Sequence, residues 1–205
     1  MSARRSTSLR RNSKYPFIRR ALKKRYDKAT LARIMMLAEG HYAVLARQCA
    51  GASDGEWRHL TGTILPVCAV YKALMNVDAP HARAVTHEAV ICLCRTVNRI
   101  LRVILLLPGM ADLFMRLLPK LALSLFGREC GFDYENYHAD ETALTMDVTI
   151  CPYCHYAMLL GCECLIPTFC ESDFATYGDL PGIRFERTAT LGTGGKKCDF
   201  RFTRE

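Results

Sequence analysis

The stretch that decides the fold of this chain is residues 141–202, which read ETALTMDVTICPYCHYAMLLGCECLIPTFCESDFATYGDLPGIRFERTATLGTGGKKCDFRF. Over residues 144–150 apolar and polar side chains alternate, which is the two-residue period of a half-buried strand. Residues 152–160 and 168–177 then predict two short helices. The last part predicts a hairpin: a strand over residues 183–191, a turn at residues 192–195 and a final strand from residue 198.

The part before this stretch is helical by its hydrophobic period. We predict helices over residues 15–26, 30–48, 54–75, 78–107 and 111–126, with irregularities at Pro66 and Pro119. Ser53 and Glu56 have the spacing of a capping box. Residues 127–140 predict a loop. The fold class is therefore α+β, with an N-terminal helical body packed on a small, mainly antiparallel sheet formed by the C-terminal third.

The domain organisation follows from these patterns and from the charge. We expect a disordered basic tail over residues 1–14, a helical region over 15–139 and an α+β region over 140–205, joined in one cooperative domain. Residues 1–26 hold ten basic residues and no acid, and removing them from the formal net charge of +8 leaves −2 for the rest. Because the basicity is confined to the head, we expect no nucleic-acid partner. A frayed tail, an import peptide or contact with an anionic membrane surface remain open for the head.

The chain has eleven cysteines. Its first apolar stretch is short and broken by charges, so we expect no secretory signal, a cytoplasmic location and reduced thiols. We also expect no membrane span, because residues 100–126 are interrupted by four charged residues and by a Pro-Gly turn.

The cysteines of the C-terminal third suggest a zinc module as an alternative to packed thiols. This module would use Cys151, Cys154, Cys162, Cys164, Cys170 and His155. The first pair has the favourable C-x-x-C spacing, but the second has the poor spacing C-x-C. We therefore expect no metal and no other cofactor.

Several side chains are candidates for chemistry. Cys151 ends the predicted strand and precedes a helix, whose dipole would lower the pKa of its thiol, and His155 lies one turn further on as an acid or base. A packed core cysteine is the alternative. Glu171 and Asp173 offer two carboxylates for acid–base chemistry or for binding a cation, unless they form a solvated helix face.

Charged residues also alternate with apolar ones in the predicted hairpin. They are Glu186, Arg187, Asp199 and Arg201. Cross-strand ion pairs would explain them without any function.

The tail resembles a known family. The segments CPY, GC, PTFCESD, YG and RFERTATLGTGGKKCDFRF are similar to the L-2-amino-thiazoline-4-carboxylic acid hydrolase family, and the resemblance extends from about residue 15 onwards. The hairpin is also distantly similar to 4-vinyl reductase-type small-molecule binding domains. The positions that carry the family pattern are Cys151, Pro152, Cys170, Glu171, Asp173, Glu186, Arg187, Thr188, Gly194, Gly195, Cys198 and Asp199. Cys154 and Cys164 lie outside this pattern.

The resemblance implies a hydrolase that opens a cyclic C=N bond in a small carboxylic acid. Such a reaction needs a nucleophile, an acid or base for the ring heteroatom and a cation for the substrate carboxylate. The candidate catalytic residues are Cys151, Cys198, Asp173, Glu171 and His155. The candidate substrate-binding residues are Arg187, Arg201, Asp199, Glu186 and Thr188. Two alternatives stay open: a non-catalytic small-molecule sensor or carrier, and a membrane-surface protein that uses the head and residues 84–126.

Overall fold

The computed structural model describes residues 8–205, and its architecture confirms the predicted α+β class. The helical body consists of α1 (Tyr15–Lys23), α2 (Lys28–Gln48), α3 (Asp54–His59), α4 (Leu65–Met75), α5 (Ala82–Leu105) and α6 (Met110–Phe126). The C-terminal third contains β1 (Asp133–Ala139), β2 (Ala143–Ile150), α7 (Pro152–Leu159), α8 (Ile166–Tyr177), β3 (Ile183–Glu186) and β4 (Cys198–Arg204).

Local sequence signals set several helix boundaries. Asp27 begins α2 by accepting hydrogen bonds from the backbone N–H groups of the first turn. The predicted capping box is confirmed, because Ser53 and Glu56 satisfy each other's backbone at the start of α3. A π-helical turn, Leu60–Ile64, separates α3 from α4, next to Pro66, which has no N–H to donate. Helix α6 continues through Pro119.

The sheet is antiparallel throughout, with the strand order β1-β2-β4-β3. Pairing Met146 with Phe200 and Val148 with Cys198 places these side chains on one face, which packs against the helices. The polar residues between them, Asp147 among them, lie on the opposite, outer face. The register therefore divides the predicted site residues of the hairpin between two sides of the sheet.

Two predictions about the sheet are wrong. Residues 133–139 were expected in a loop but form β1, and their polar sequence shows no alternation. The pairing of β1 with β2 shifts register between Glu135 and His138. Asn136 lies at this shift and has a left-handed backbone, with φ at 50°. Strand β3 ends at Glu186 instead of continuing to residue 191, so the connection to β4 spans residues 187–197. Gly194, at φ 89°, supplies the left-handed backbone of this connection.

The start of the described chain is ordered. Leu9 is fully buried in the helical core, and Ser8 donates to Oε1 of Glu39 at 2.7 Å. Residues 8–14, predicted to belong to a disordered tail, are therefore ordered in the structure, because the side chain of Leu9 packs in the core. Residues 1–7 lie outside the described residues.

Helices α7 and α8 join the two parts of the molecule. Tyr156 and Phe169 are buried in the same core as the residues of α2 and α4. No helix within residues 8–205 combines the length and the apolar character needed to span a bilayer.

Candidate functional site

Arg187 lies at the centre of the candidate site, directly after β3. Its side chain is only 3% exposed. Nη1 donates to the Asp173 carboxylate on α8, and Nη2 donates to the carbonyl oxygen of Cys170 at 2.8 Å. The guanidinium also lies over two rings, 5.1 Å from the Phe174 centroid and 5.3 Å from the Phe200 centroid. These contacts fix a planar cation in one orientation between α8 and the sheet.

One of the three nitrogens of this guanidinium has no hydrogen-bond partner. Among residues 8–205, Nε of Arg187 is the one buried side-chain nitrogen or oxygen that has no hydrogen-bond partner. Leaving a buried donor unsatisfied costs about 1–3 kcal/mol, so such an atom requires an explanation. An oxygen of a bound anion would satisfy it.

Asp173 has an unusual acidity for an aspartate. Burial raises its pKa to about 6, although the cation of Arg187 opposes the increase. Its side chain keeps 29% of its exposure, so water or a small molecule can reach the carboxyl group. A carboxyl group with this pKa exchanges its proton near neutral pH, as a general acid or base must.

Two thiols at the start of α7 form a hydrogen-bonded pair. This bond raises the pKa of Cys151 well above its usual value, with burial adding to the increase, and lowers the pKa of Cys154. The direction at Cys151 is therefore opposite to the predicted thiolate character, because the hydrogen bond to Cys154 and burial oppose the effect of the helix N-terminus.

Two further thiols, Cys170 and Cys198, lie in the same region as the first pair. Burial raises the pKa of Cys170, and it raises that of Cys198 to about 11. The charges of Cys151 and Arg187 act on both of these thiols, so the two lie in the same region of the fold as the guanidinium. Leu191 N–H donates to Cys198 Sγ at 3.3 Å. Cys198 was a candidate nucleophile, but its burial disfavours the thiolate.

Three predicted residues point away from this group. Glu171 is 61% exposed, and its Oε2 lies 3.5 Å from Nε2 of His87. His155 is exposed on α7 and stacks edge-on against Tyr156, with 4.9 Å between the ring centroids. Glu186 is exposed on the outer face of the sheet and accepts from Arg184 at 2.8 Å. Helix period and strand alternation, respectively, direct these side chains outward.

The remaining predicted residues form a separate cluster on the outer face of the sheet. Asp199 accepts hydrogen bonds from Thr188 N at 2.9 Å and Thr188 Oγ1 at 2.5 Å, which holds the chain after β3. Arg201 Nη2 donates to Asp147 at 2.7 Å, and Lys197 Nζ does so at the same distance. Arg201, Asp199 and Thr188 are therefore not brought together with Arg187.

The cysteines do not converge on a metal site. Within the described residues no three His, Cys, Asp or Glu side chains are arranged to hold a metal ion. Cys162 hydrogen-bonds to Cys68 on α4, and Cys164 hydrogen-bonds to Tyr71. The second cysteine pair of the zinc hypothesis, Cys162 and Cys164, therefore bonds to Cys68 and Tyr71, whereas Cys151 and Cys154 of the first pair bond to each other.

Cys154 and Cys170 were considered as zinc ligands but not as catalytic residues, and Asp147 was given no role. Cys170 lies one helical turn before Asp173, and this spacing could have placed both on one face of α8. Cys154 follows Cys151 at the same spacing, but this spacing does not show which of the two thiols carries the proton of their hydrogen bond. Asp147 occupies a position that alternation predicts to be exposed, yet it is 1% exposed beneath its two cations.

Comparison with known families assigns the chain to one of them. A family model described as L-2-amino-thiazoline-4-carboxylic acid hydrolase matches residues 57–202 of the 205 residues. The chain belongs to this family. All the residues around Arg187, from Cys151 to Cys198, lie within the matched part of this L-2-amino-thiazoline-4-carboxylic acid hydrolase family member, whereas α1 and α2 lie outside it. No curated protein and no solved structure matches the chain.

Proposed function

We propose that the protein is a hydrolase that opens a cyclic C=N bond in a small carboxylic acid, similar to L-2-amino-thiazoline-4-carboxylate. The observation that carries the proposal is that three kinds of group lie in one region of the fold. The buried cation Arg187 has a nitrogen without a partner and contacts Asp173, whose pKa is near 6. The hydrogen-bonded pair of Cys151 and Cys154 acts electrostatically on Cys170 and Cys198, which lie near the same cation. These groups would serve as the anchor, the acid or base and the nucleophile that the reaction requires.

The anchor is the Nε–H of Arg187. A substrate carboxylate that accepts this donor would gain a charge-assisted hydrogen bond, which is roughly twice as strong as a neutral one. Asp173 and the carbonyl of Cys170 occupy the other two nitrogens, so the guanidinium cannot turn away. The rings of Phe174 and Phe200 restrict its plane.

Asp173 would act as the proton donor. A substrate carboxylate beside Asp173 brings a second negative charge into the site, which raises the pKa of Asp173 above about 6. The carboxyl group then carries a proton at neutral pH. It delivers this proton to the ring heteroatom that leaves the amidine carbon.

The nucleophile would be the thiolate of Cys154, which Cys151 stabilises by a hydrogen bond. Its sulfur adds to the amidine carbon, and the electron pair of the C=N bond moves to nitrogen. This pair then forms the C=N bond again, and the single bond from the amidine carbon to the ring sulfur breaks. The ring sulfur takes the electron pair of the broken bond and the proton of Asp173. Water next attacks the same carbon and Cys154 leaves as thiolate. One proton of the water returns to Asp173 and the other goes to the nitrogen of the C=N bond. The net reaction consumes one water.

The test is incubation of the purified protein with L-2-amino-thiazoline-4-carboxylate, with mass spectrometry of the products. We expect a product heavier by one water. Asp173→Asn and Cys154→Ser should lose product formation and keep their circular dichroism spectra. Glu171→Gln is the matched control, because its carboxyl group lies on the same helix but faces solvent.

Two outcomes would change this proposal. Because Cys154 lies outside the residues that carry the family resemblance, Cys151→Ser is tested beside Cys154→Ser, and turnover in both would assign the attack to water. Thermal stabilisation by the compound without any product would instead support a small-molecule binding protein.

A further inference from the structure

The helical hairpin formed by α5 and α6 exposes large apolar side chains at its tip. Val103 is 68% exposed, Leu106 is 72% exposed and Leu107 is 59% exposed. The turn at Pro108 and Gly109 joins the two helices directly after them. Contiguous exposed apolar residues of this size mark an interaction site on a folded protein.

Exposed apolar side chains also recur along both helices. On α6, Met115 and Leu118 are buried against the sheet core, while Leu113, Leu117 and Leu121 on the opposite side are 43%, 45% and 50% exposed. On α5 the exposed apolar residues recur every three or four positions. We call the whole set the hairpin surface, and its members are Val97, Ile100, Val103, Ile104, Leu106, Leu107, Leu113, Leu117 and Leu121.

The charges beside the hairpin surface are almost all positive. Arg95, Arg99, Arg116 and Lys120 are exposed, and none of them makes an ion pair with any residue from 8 to 205. Asp112 is the one acid between residues 89 and 126. It is already neutralised, because Arg204 Nε lies 2.7 Å from its carboxylate.

Helix α1 extends this positive field. It packs along the first half of α5: Arg25 lies 3.7 Å from Glu88, and the charge of Lys14 acts on the thiol of Cys94. Residues 14–25 contain six basic residues and no acid. The basic flank of α5 is therefore continuous with a second basic helix.

We propose that the hairpin surface binds an anionic phospholipid bilayer and lies in its interface without crossing it. Apolar side chains that insert between headgroups, flanked by cations that contact anionic lipids, are the two elements of interfacial binding. A second copy of the chain fits the surface less well. A two-fold interface there would bring the unpaired arginines of each copy close to those of the other.

The test is sedimentation of the full chain with vesicles of phosphatidylcholine alone and of phosphatidylcholine mixed with phosphatidylserine. We expect binding to the mixed vesicles that weakens as salt is added. Each cation near an anionic surface strengthens binding by roughly fivefold, so the double variant Arg116→Gln/Lys120→Gln should weaken it on the order of twentyfold. Leu106→Glu should abolish it.

Met158→Glu is the matched control, because Met158 is 60% exposed on α7, outside the hairpin surface. It should bind as the unchanged protein does. Absence of binding to the mixed vesicles, or undiminished binding by Leu106→Glu, would overturn the proposal. So would a dimer in light scattering that Leu106→Glu converts to monomer, since the surface would then be covered by a second copy.

Discussion

Replacing Asp173 by Asn should change how the stability of the protein depends on pH. The pKa of this carboxyl group rises from 3.8 in the unfolded chain to about 6 in the folded protein because of its burial. The folded state therefore prefers the protonated form. The stability that this preference supplies is fully present below about pH 4 and is lost as the pH rises through about 6. The difference between the two pKa values corresponds to at most about 3 kcal/mol of unfolding free energy.

The Asp173→Asn variant lacks this titration. Urea unfolding followed by circular dichroism should therefore show the unchanged protein losing up to about 3 kcal/mol relative to the variant between about pH 4 and pH 7. Glu171→Gln, which removes an exposed carboxyl group of the same helix, should show a small and nearly constant difference. A constant difference for Asp173→Asn as well would refute the assignment of a buried carboxyl group that titrates near neutral pH.

Three further predictions concern the surroundings of the site. Asp147→Ala should lower the unfolding free energy by about 1–3 kcal/mol, since it removes a buried carboxylate that accepts charge-assisted hydrogen bonds from Lys197 and Arg201, yet should leave product formation intact; loss of product at full stability would contradict this. Iodoacetamide should alkylate Cys154 before Cys198, as measured by peptide mass spectrometry, because the hydrogen bond to Cys154 favours its thiolate; the reverse order would contradict this. Gly192→Ala should destabilise by about 1–3 kcal/mol, because the new methyl would lie 2.6 Å from Sγ of Cys170; an unchanged urea midpoint would contradict that close contact.

Much of the fold could be predicted because local chemistry determines it. Pro152 begins α7, the pair Ser53 and Glu56 begins α3, and alternation identifies β2. Strand β1 could not be predicted from the sequence. It is an edge strand whose residues do not alternate in polarity and whose pairing with β2 shifts register. Its position depends on pairing with β2.

The candidate site was predicted only in part, for a similar reason. Arg187 and Asp173 were named from sequence, but Arg201 was named with equal justification and lies on the other face of the sheet. Alternation separates inward from outward positions only once the end of each strand is known. The bond between Cys151 and Cys154 reversed the expected acidity, and such a bond depends on side-chain placement that the spacing does not determine.

The most direct test of the central claim compares two ligands and two proteins by calorimetry. The claim is that the Nε–H of Arg187 donates a hydrogen bond to the carboxylate of the substrate. The ligands are L-2-amino-thiazoline-4-carboxylate and the same ring without its carboxylate, and the proteins are the catalytically impaired Asp173→Asn variant and Asp173→Asn/Arg187→Met. Arg187→Met should cost the carboxylate ligand on the order of tenfold to a hundredfold in affinity, as expected for a hydrogen bond to a charged group, and the other ligand little. Equal losses for both ligands would contradict the claim.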